Sequence, residues 1–234
     1  METIRPNQKR AKLARMFIYL VIVLHAVSIV SGYMQYDLLL RARDIGITDQ
    51  EAEVNDLRHQ VIAILIVMTY IVSTIVFLQW FRRAYYNLHT LLPDRLDFNE
   101  GWAVGAWFVP IINLYRPLRI MRELFEEAAA FLKKKQVSTY VQDNEWLMIS
   151  WWTLWILGGL IDRISWRVYE DAETIDELIN MTLTDMATSG IVVLCGILAA
   201  QLINRYNQLE KVLEVAAGDG AESIPAVEII SRED

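Results

Sequence analysis

The sequence has 234 residues, 54% of them hydrophobic, with a formal net charge of −7 and one cysteine. One cysteine excludes a disulfide-stapled secreted domain, and the acidic balance argues against a nucleic-acid binder. The apolar residues are clumped into charge-free runs that a soluble enzyme of this length does not need.

Arg5, Lys9, Arg10, Lys12 and Arg15 precede the first such run, 16–34. At 19 residues it exceeds the apolar core of a signal peptide, and no small-residue cleavage pattern precedes Tyr33, so it reads as an uncleaved signal anchor. Further runs follow at 61–80, 146–161 and 186–203, the third continuing to about 164 with Asp162 and Arg163 near an interface. About 20 apolar residues cross a ~30 Å hydrocarbon core, which predicts four transmembrane helices over about 16–34, 61–80, 146–164 and 186–203. Trp80, Phe81, Trp146 and Tyr206 mark span ends, where aromatic rings suit the headgroup level.

Basic residues set the orientation, because Lys and Arg near short loops resist translocation. The amino terminus carries five bases and 81–145 carries nine, against three in 41–60 and two in 162–185. Both termini and the long central segment are therefore expected in the cytoplasm. The two exported segments carry five and seven acids; a solvated face is the simpler reading, and concentration of cations the sharper one.

Between the second and third spans, 101–115 reads GWAVGAWFVPIINLY, free of charge but interrupted by Pro110. It is short for a span, and a full crossing would put the bases of 116–135 outside, so it is expected to re-enter from the cytoplasmic side and break at Pro110. Pro117 suits the first turn of a helix over 117–135. Leu118, Met121, Phe125, Ala128 and Leu132 fall on one side, and the pairs Arg119/Glu123 and Arg122/Glu126 on the other. This amphipathic helix lies along the membrane surface, with Lys133, Lys134 and Lys135 meeting anionic headgroups, or packs only on protein.

In the last span, Ser189, Gly196, Ala199 and Ala200 form a small-residue stripe, for packing within the bundle or for a dimer face. The helix is expected to run from about 173 to about 215, closing a single helical membrane domain over 1–215. The remainder, 216–234, is acidic with Gly218, Gly220 and Pro225, and is expected to be disordered.

Trp80, Arg83, Ala84 and Asn87 form a W-x-x-R-A-x-x-N element. It is followed by F-V-P-x-x-N over Phe108, Val109, Pro110 and Asn113, by Arg116-Pro117, and by Glu123. These elements resemble a bacterial membrane family catalogued as domain of unknown function 4328, over roughly 61–209. The resemblance implies a polytopic helical protein of a bacterial inner membrane and supplies no substrate.

A polar group in an apolar segment needs a partner. Asn113 and Arg116 are therefore the first candidates, with Arg83 and Asn87, four apart on one helix face, and Glu123 as partners. The expected cluster of Arg83, Asn87, Asn113, Arg116 and Glu123 is a hydrogen-bonded staple for the re-entrant segment or a site for an ion or lipid phosphate.

No constellation for catalysis assembles: His25, His59 and His89 are dispersed, G-x-S-x-G and H-E-x-x-H are absent, and Cys195 stands alone. No metal or cofactor is expected. His25, near Ser28 and Ser31, is a packing residue or a proton-responsive spot. The expected function is that of a non-enzymatic membrane scaffold or sensor, engaging lipid headgroups, a protein partner or a second copy of itself. The alternative is a small oligomeric channel or transporter built on the proline-broken segment; an intramembrane enzyme comes third.

Overall fold

The structure, a computed structural model, describes residues 4–137 and 143–218. Among them the fold is all-α. In chain order it comprises α1 (Gln8–Asp44), α2 (Asp49–Leu91), α3 (Trp102–Gly105), a 3-10 turn (Ile112–Leu114), α4 (Arg116–Lys134), α5 (Glu145–Tyr169) and α6 (Ile175–Ala217). Helices α1, α2, α5 and α6 are long and apolar enough to cross a membrane.

The helices outrun their apolar cores: α1 has 37 residues and α2 and α6 have 43 each. At 1.5 Å per residue, the longest reach about 65 Å, roughly twice the hydrocarbon thickness. Charge-free runs locate where a helix can cross, but they do not mark where it stops. Ala216 and Ala217 close α6, with Ala216 buried, whereas 219–234 of the expected tail lie outside the described residues.

Local chemistry sets two of the turns. Gly46, at φ +83°, ends α1 and donates its N–H to the Arg41 carbonyl at 3.1 Å, a left-handed cap that glycine adopts without strain. Thr48 and Glu51 cap α2 reciprocally: the Glu51 amide reaches Thr48 Oγ1 at 3.3 Å and the Thr48 amide reaches Glu51 Oε2 at 3.0 Å. Thr174 and Glu177 repeat the arrangement before α6, at 3.3 and 3.0 Å.

The chain packs as two units. Of the described residues, the first comprises 4–15, 75–137, 143–149 and 201–218; the second comprises 16–74 and 150–200. In the first, the rings of Trp80, Phe81, Tyr85 and Tyr206 are wholly buried. The apolar face of α4, including Ile120, Met121, Leu124, Phe125 and Phe131, is buried as well. Phe125 meets Tyr206 edge-on, with ring centroids 5.5 Å apart. The amphipathic face is thus covered by protein rather than free to lie on lipid, and Leu118 of the expected stripe is only half-buried.

In the second unit, glycines bring α1 and α6 close. A Cβ on Gly196 would come within 2.8 Å of Ile22 Cγ1, and one on Gly32 within 2.6 Å of Met186 Cγ. The small-residue stripe of α6 therefore serves packing inside the chain. Gly196→Leu should force the two helices apart at a cost of about 1–3 kcal/mol, visible as a lower thermal unfolding midpoint in detergent.

Candidate functional site

Four groups of side chains in the first unit carry its chemistry. The first closes the segment between α3 and α4. Arg116, at the start of α4, lays its guanidinium over the ring of Trp102, the first residue of α3, at 4.0 Å from the centroid. Phe98 lies on the same guanidinium at 4.7 Å. The segment thus returns to where it began, held by a stacked cation. In between, Trp107 packs edge-on against Phe77 and Phe81 of α2, at 5.5 and 6.2 Å. Phe108, Val109, Ile111, Leu114 and Tyr115 are exposed.

Helix α3 ends at Gly105, ahead of Pro110, and the turn after the proline is unusual. Ile111 has φ 67° and ψ −48°, and the Ile112 N–H reaches the Pro110 carbonyl at 2.8 Å. This approximates the three-residue γ-turn of positive φ, a strained conformation for any residue and most of all for a β-branched one. Ile111 is 75% exposed, so no packing rewards that strain among the described residues.

The second group centres on Glu123 of α4. The Tyr85 hydroxyl is shared between Glu123 Oε2, at 2.5 Å, and the Phe98 carbonyl, at 3.0 Å. The Asp97 amide donates to Glu123 Oε1 at 3.3 Å. Arg119 pairs with the Asp97 carboxylate at 3.0 Å, so the stretch before α3 is pinned to α4 twice. Burial raises the Glu123 carboxyl above the usual carboxylate range, against the lowering pull of the Tyr85 and Asp97 bonds.

The third group is a buried carboxylate. Glu210 of α6 is 2% exposed. It accepts from Asn87 Nδ2 at 2.8 Å and from Asn7 Nδ2 at 3.0 Å. Asn87 also clamps the chain before α1, donating to the Arg5 carbonyl at 2.9 Å and accepting the Arg5 amide at 3.0 Å. Asn7 additionally donates to the Trp80 carbonyl, at 3.4 Å. One acid therefore ties the chain start, α2 and α6 together, with no cation in hydrogen-bond reach among the described residues.

The fourth group is cationic. Arg5 and Arg83 both lie over the ring of Tyr86, at 4.4 and 5.6 Å from its centroid. Arg10 and Arg5 are close enough to Arg83 to repel it. Among the described residues neither Arg5 nor Arg83 has a carboxylate within ion-pair distance, whereas neighbouring Arg82 pairs with Glu100 at 3.0 Å.

The five expected residues are thus distributed over these groups and do not form one cluster. Asn87 belongs with Glu210, Arg83 with Arg5 and Tyr86, Arg116 with Trp102, and Glu123 with Tyr85. Asn113 is half-buried; its amide nitrogen bonds the Val109 carbonyl at 3.0 Å, and its side chain joins none of the other four. Pro117 is buried in the first turn of α4. No motif or apolar run singles out Glu210, Asn7 or Tyr85, and Arg5 stands out only as one of the leading bases. A signal for Glu210 was present: it shares an apolar helical face with Ile203, Tyr206 and Leu213, where an acid must be buried and bonded.

Four membrane-length helices joined by a packed segment of short helices define a multi-pass helical membrane protein. It belongs to a family described as a domain of unknown function (DUF4328), whose family model matches residues 43–208. The match begins in the last turn of α1, ahead of the point expected from the motifs alone, and stops one residue short of Leu209. No curated protein and no solved structure matches the chain.

Two outcomes are expected. Asn87→Leu removes a donor to a buried carboxylate and should cost about 1.5–3 kcal/mol, whereas Asn113→Leu should leave the unfolding midpoint near wild type. A carboxyl raised on folding holds its proton more tightly in the folded chain. Its stabilising effect is full below the ordinary carboxyl value and is lost as pH rises through the folded value. As pH rises from about 4, the unfolding midpoint of wild type should therefore fall relative to that of Glu123→Gln.

Proposed function

We propose that this is a non-enzymatic protein of a bacterial inner membrane, with both termini cytoplasmic, that acts as a scaffold or sensor at the cytoplasmic leaflet by holding anionic lipid headgroups. The observation that carries this reading is the placing of Arg5 and Arg83 over one ring, that of Tyr86, with no carboxylate within ion-pair distance of either among the described residues. Guanidiniums gathered in this way repel each other, and an anion between them removes the penalty. The planar fork of arginine suits phosphate oxygens, and an anionic leaflet supplies phosphate at high local concentration.

The segment closed by Arg116 supports the same reading. Its exposed Phe108, Val109, Ile111, Leu114 and Tyr115 are apolar or aromatic, and Trp107 fixes the segment beside Phe77 and Phe81, where the apolar run of α2 ends. On this reading the loop dips into the bilayer from the cytoplasmic side and returns, setting the depth of the cationic patch. Its irregular backbone is tolerable because the dip is shallow and held by protein. The non-enzymatic reading draws on Glu123 and Glu210, the acids with the most buried bonding, both occupied in fastening backbone and side chains.

Thermal unfolding in nanodiscs tests the headgroup reading. Wild type should be stabilised by phosphatidylglycerol over phosphatidylcholine, by about 1 kcal/mol per arginine engaged. Arg5→Gln with Arg83→Gln should keep its midpoint in phosphatidylcholine and lose the increment. An equal increment in wild type and double variant would overturn the reading.

A further inference from the structure

The cationic patch of the first unit has an acid directly behind it. The Asn87 side-chain amide donates to the Arg5 carbonyl at 2.9 Å and to Glu210 Oε1 at 2.8 Å. A single amide group therefore separates the backbone of Arg5 from the Glu210 carboxyl. Asn7, just after Arg5 in the chain, donates to both carboxyl oxygens, at 3.3 and 3.0 Å. Arg5 and Arg83 lie over the ring of Tyr86, the residue immediately before Asn87 on α2. Arg83 is close enough to Glu210 to favour its ionised form. The acid and any anion held by the two arginines thus draw on the same positive charge.

The hydrogen bonding around the acid accommodates a proton. Asn7 is wholly buried, and its Oδ1 accepts no hydrogen bond among the described residues. An ionised carboxylate has acceptors alone and cannot serve that oxygen, whereas a protonated carboxyl has an O–H to give. The donor and the unserved acceptor of Asn7 sit on one carbon. Rotation about the terminal torsions of the two side chains, which are broad for Asn and Glu, converts the observed contact into an acid–amide pair with one bond in each direction. Burial raises the Glu210 carboxyl to about 7, against the lowering pull of the Asn87 and Asn7 bonds; Glu214 adds to the rise and Arg83 opposes it.

The other ionisable groups come from each element around the acid. At the chain start, Gln8 bonds Glu214 Oε2 at 3.5 Å, and Arg10 adds positive charge near Arg83. On α2, Arg83 is followed along the helix by His89, which meets the Tyr85 ring edge-on at 4.8 Å, and preceded by Arg82, paired with Glu100. On α6, Tyr206 is wholly buried and is held as a phenol by burial and by Glu210. Helix α4 meets Tyr206 through the Phe125 ring, and Lys9 and Lys211 are exposed. Guanidiniums and a buried phenol keep their protonation across neutral pH, which leaves Glu210 as the group behind the patch whose charge changes.

We infer that Glu210 is a proton switch for the arginine patch: with the acid protonated, Arg5 and Arg83 hold an anionic headgroup tightly, and with it ionised they release the headgroup more readily. The inference names the regulation of the headgroup site proposed above and rests on that reading. The coupling is reciprocal, so a bound phosphate group raises the proton affinity of Glu210 by the same factor. A fall in pH on the side that carries the patch favours the lipid-bound state.

Thermal unfolding of the full chain in nanodiscs of phosphatidylglycerol and of phosphatidylcholine, at about pH 5.5 and about pH 8.5, tests the switch. The rise in midpoint that phosphatidylglycerol gives wild type should be larger at the lower pH, equivalent to about fivefold tighter headgroup binding. Glu210→Gln, a neutral isostere of the protonated acid, should keep the larger rise at both pH values. A wild-type rise that is the same at both pH values, or a Glu210→Gln rise that shrinks at the higher pH as wild type does, overturns the switch and leaves the headgroup reading standing. No rise at either pH overturns the headgroup reading and the switch with it. Where Glu210→Gln fails to fold, the infrared carbonyl band of the protonated carboxyl decides. Its loss on raising the pH should move to higher pH in phosphatidylglycerol for wild type and not for the chain with Arg5→Gln and Arg83→Gln; equal movement in both overturns the inference.

Discussion

The stacking of Arg116 on Trp102 is the contact on which the rest of the account turns. It joins the two ends of a charge-free segment whose length alone leaves open whether it crosses a bilayer or returns. A guanidinium on an indole face is a contact that arginine makes well and lysine makes less well, because the planar group covers the ring. With the ends fastened, the backbone between them is free to be irregular, and it uses that freedom at Pro110 and Ile111. Exposed apolar side chains such as Phe108, Ile111 and Leu114 are costly in water and not in a bilayer, which suits the proposed place of the loop at the membrane interface.

Around this clasp the first unit is fastened by acids that meet amides and a phenol more than cations. Glu210 is bonded by two asparagine amides and Glu123 by a tyrosine and a backbone N–H. Both carboxylates are therefore stabilised by directional neutral donors, and the arginines nearby are left for other anions. Arg82 makes a direct ion pair with Glu100, and among the described residues Arg5 and Arg83 make none. The cationic patch thus follows from how the buried acids are satisfied.

Much of this fold was legible in the sequence. The four spans are charge-free runs, and the break at Pro110 follows from its missing donor. Pairing was less legible. Arg83 and Asn87 share a helix face by spacing, yet they serve different groups because each meets a partner distant in the chain: Arg5 on the Tyr86 ring for one, Glu210 for the other. Asn113 drew attention as a polar residue in an apolar run, but the backbone turns there and its side chain joins no buried network. The face of α4 was read correctly as amphipathic, while its cover, protein rather than lipid, depends on tertiary packing that periodicity does not encode.

The proposal that 101–115 dips and returns is tested most directly by single cysteines at Glu100→Cys and Arg119→Cys in a Cys195→Ala background, labelled in intact cells with an impermeant thiol reagent. The account predicts that both positions stay unlabelled until the cells are opened. Labelling of Arg119→Cys from outside while Glu100→Cys remains protected would show that the segment crosses, and would contradict both the dip and the cytoplasmic placement of the cationic patch.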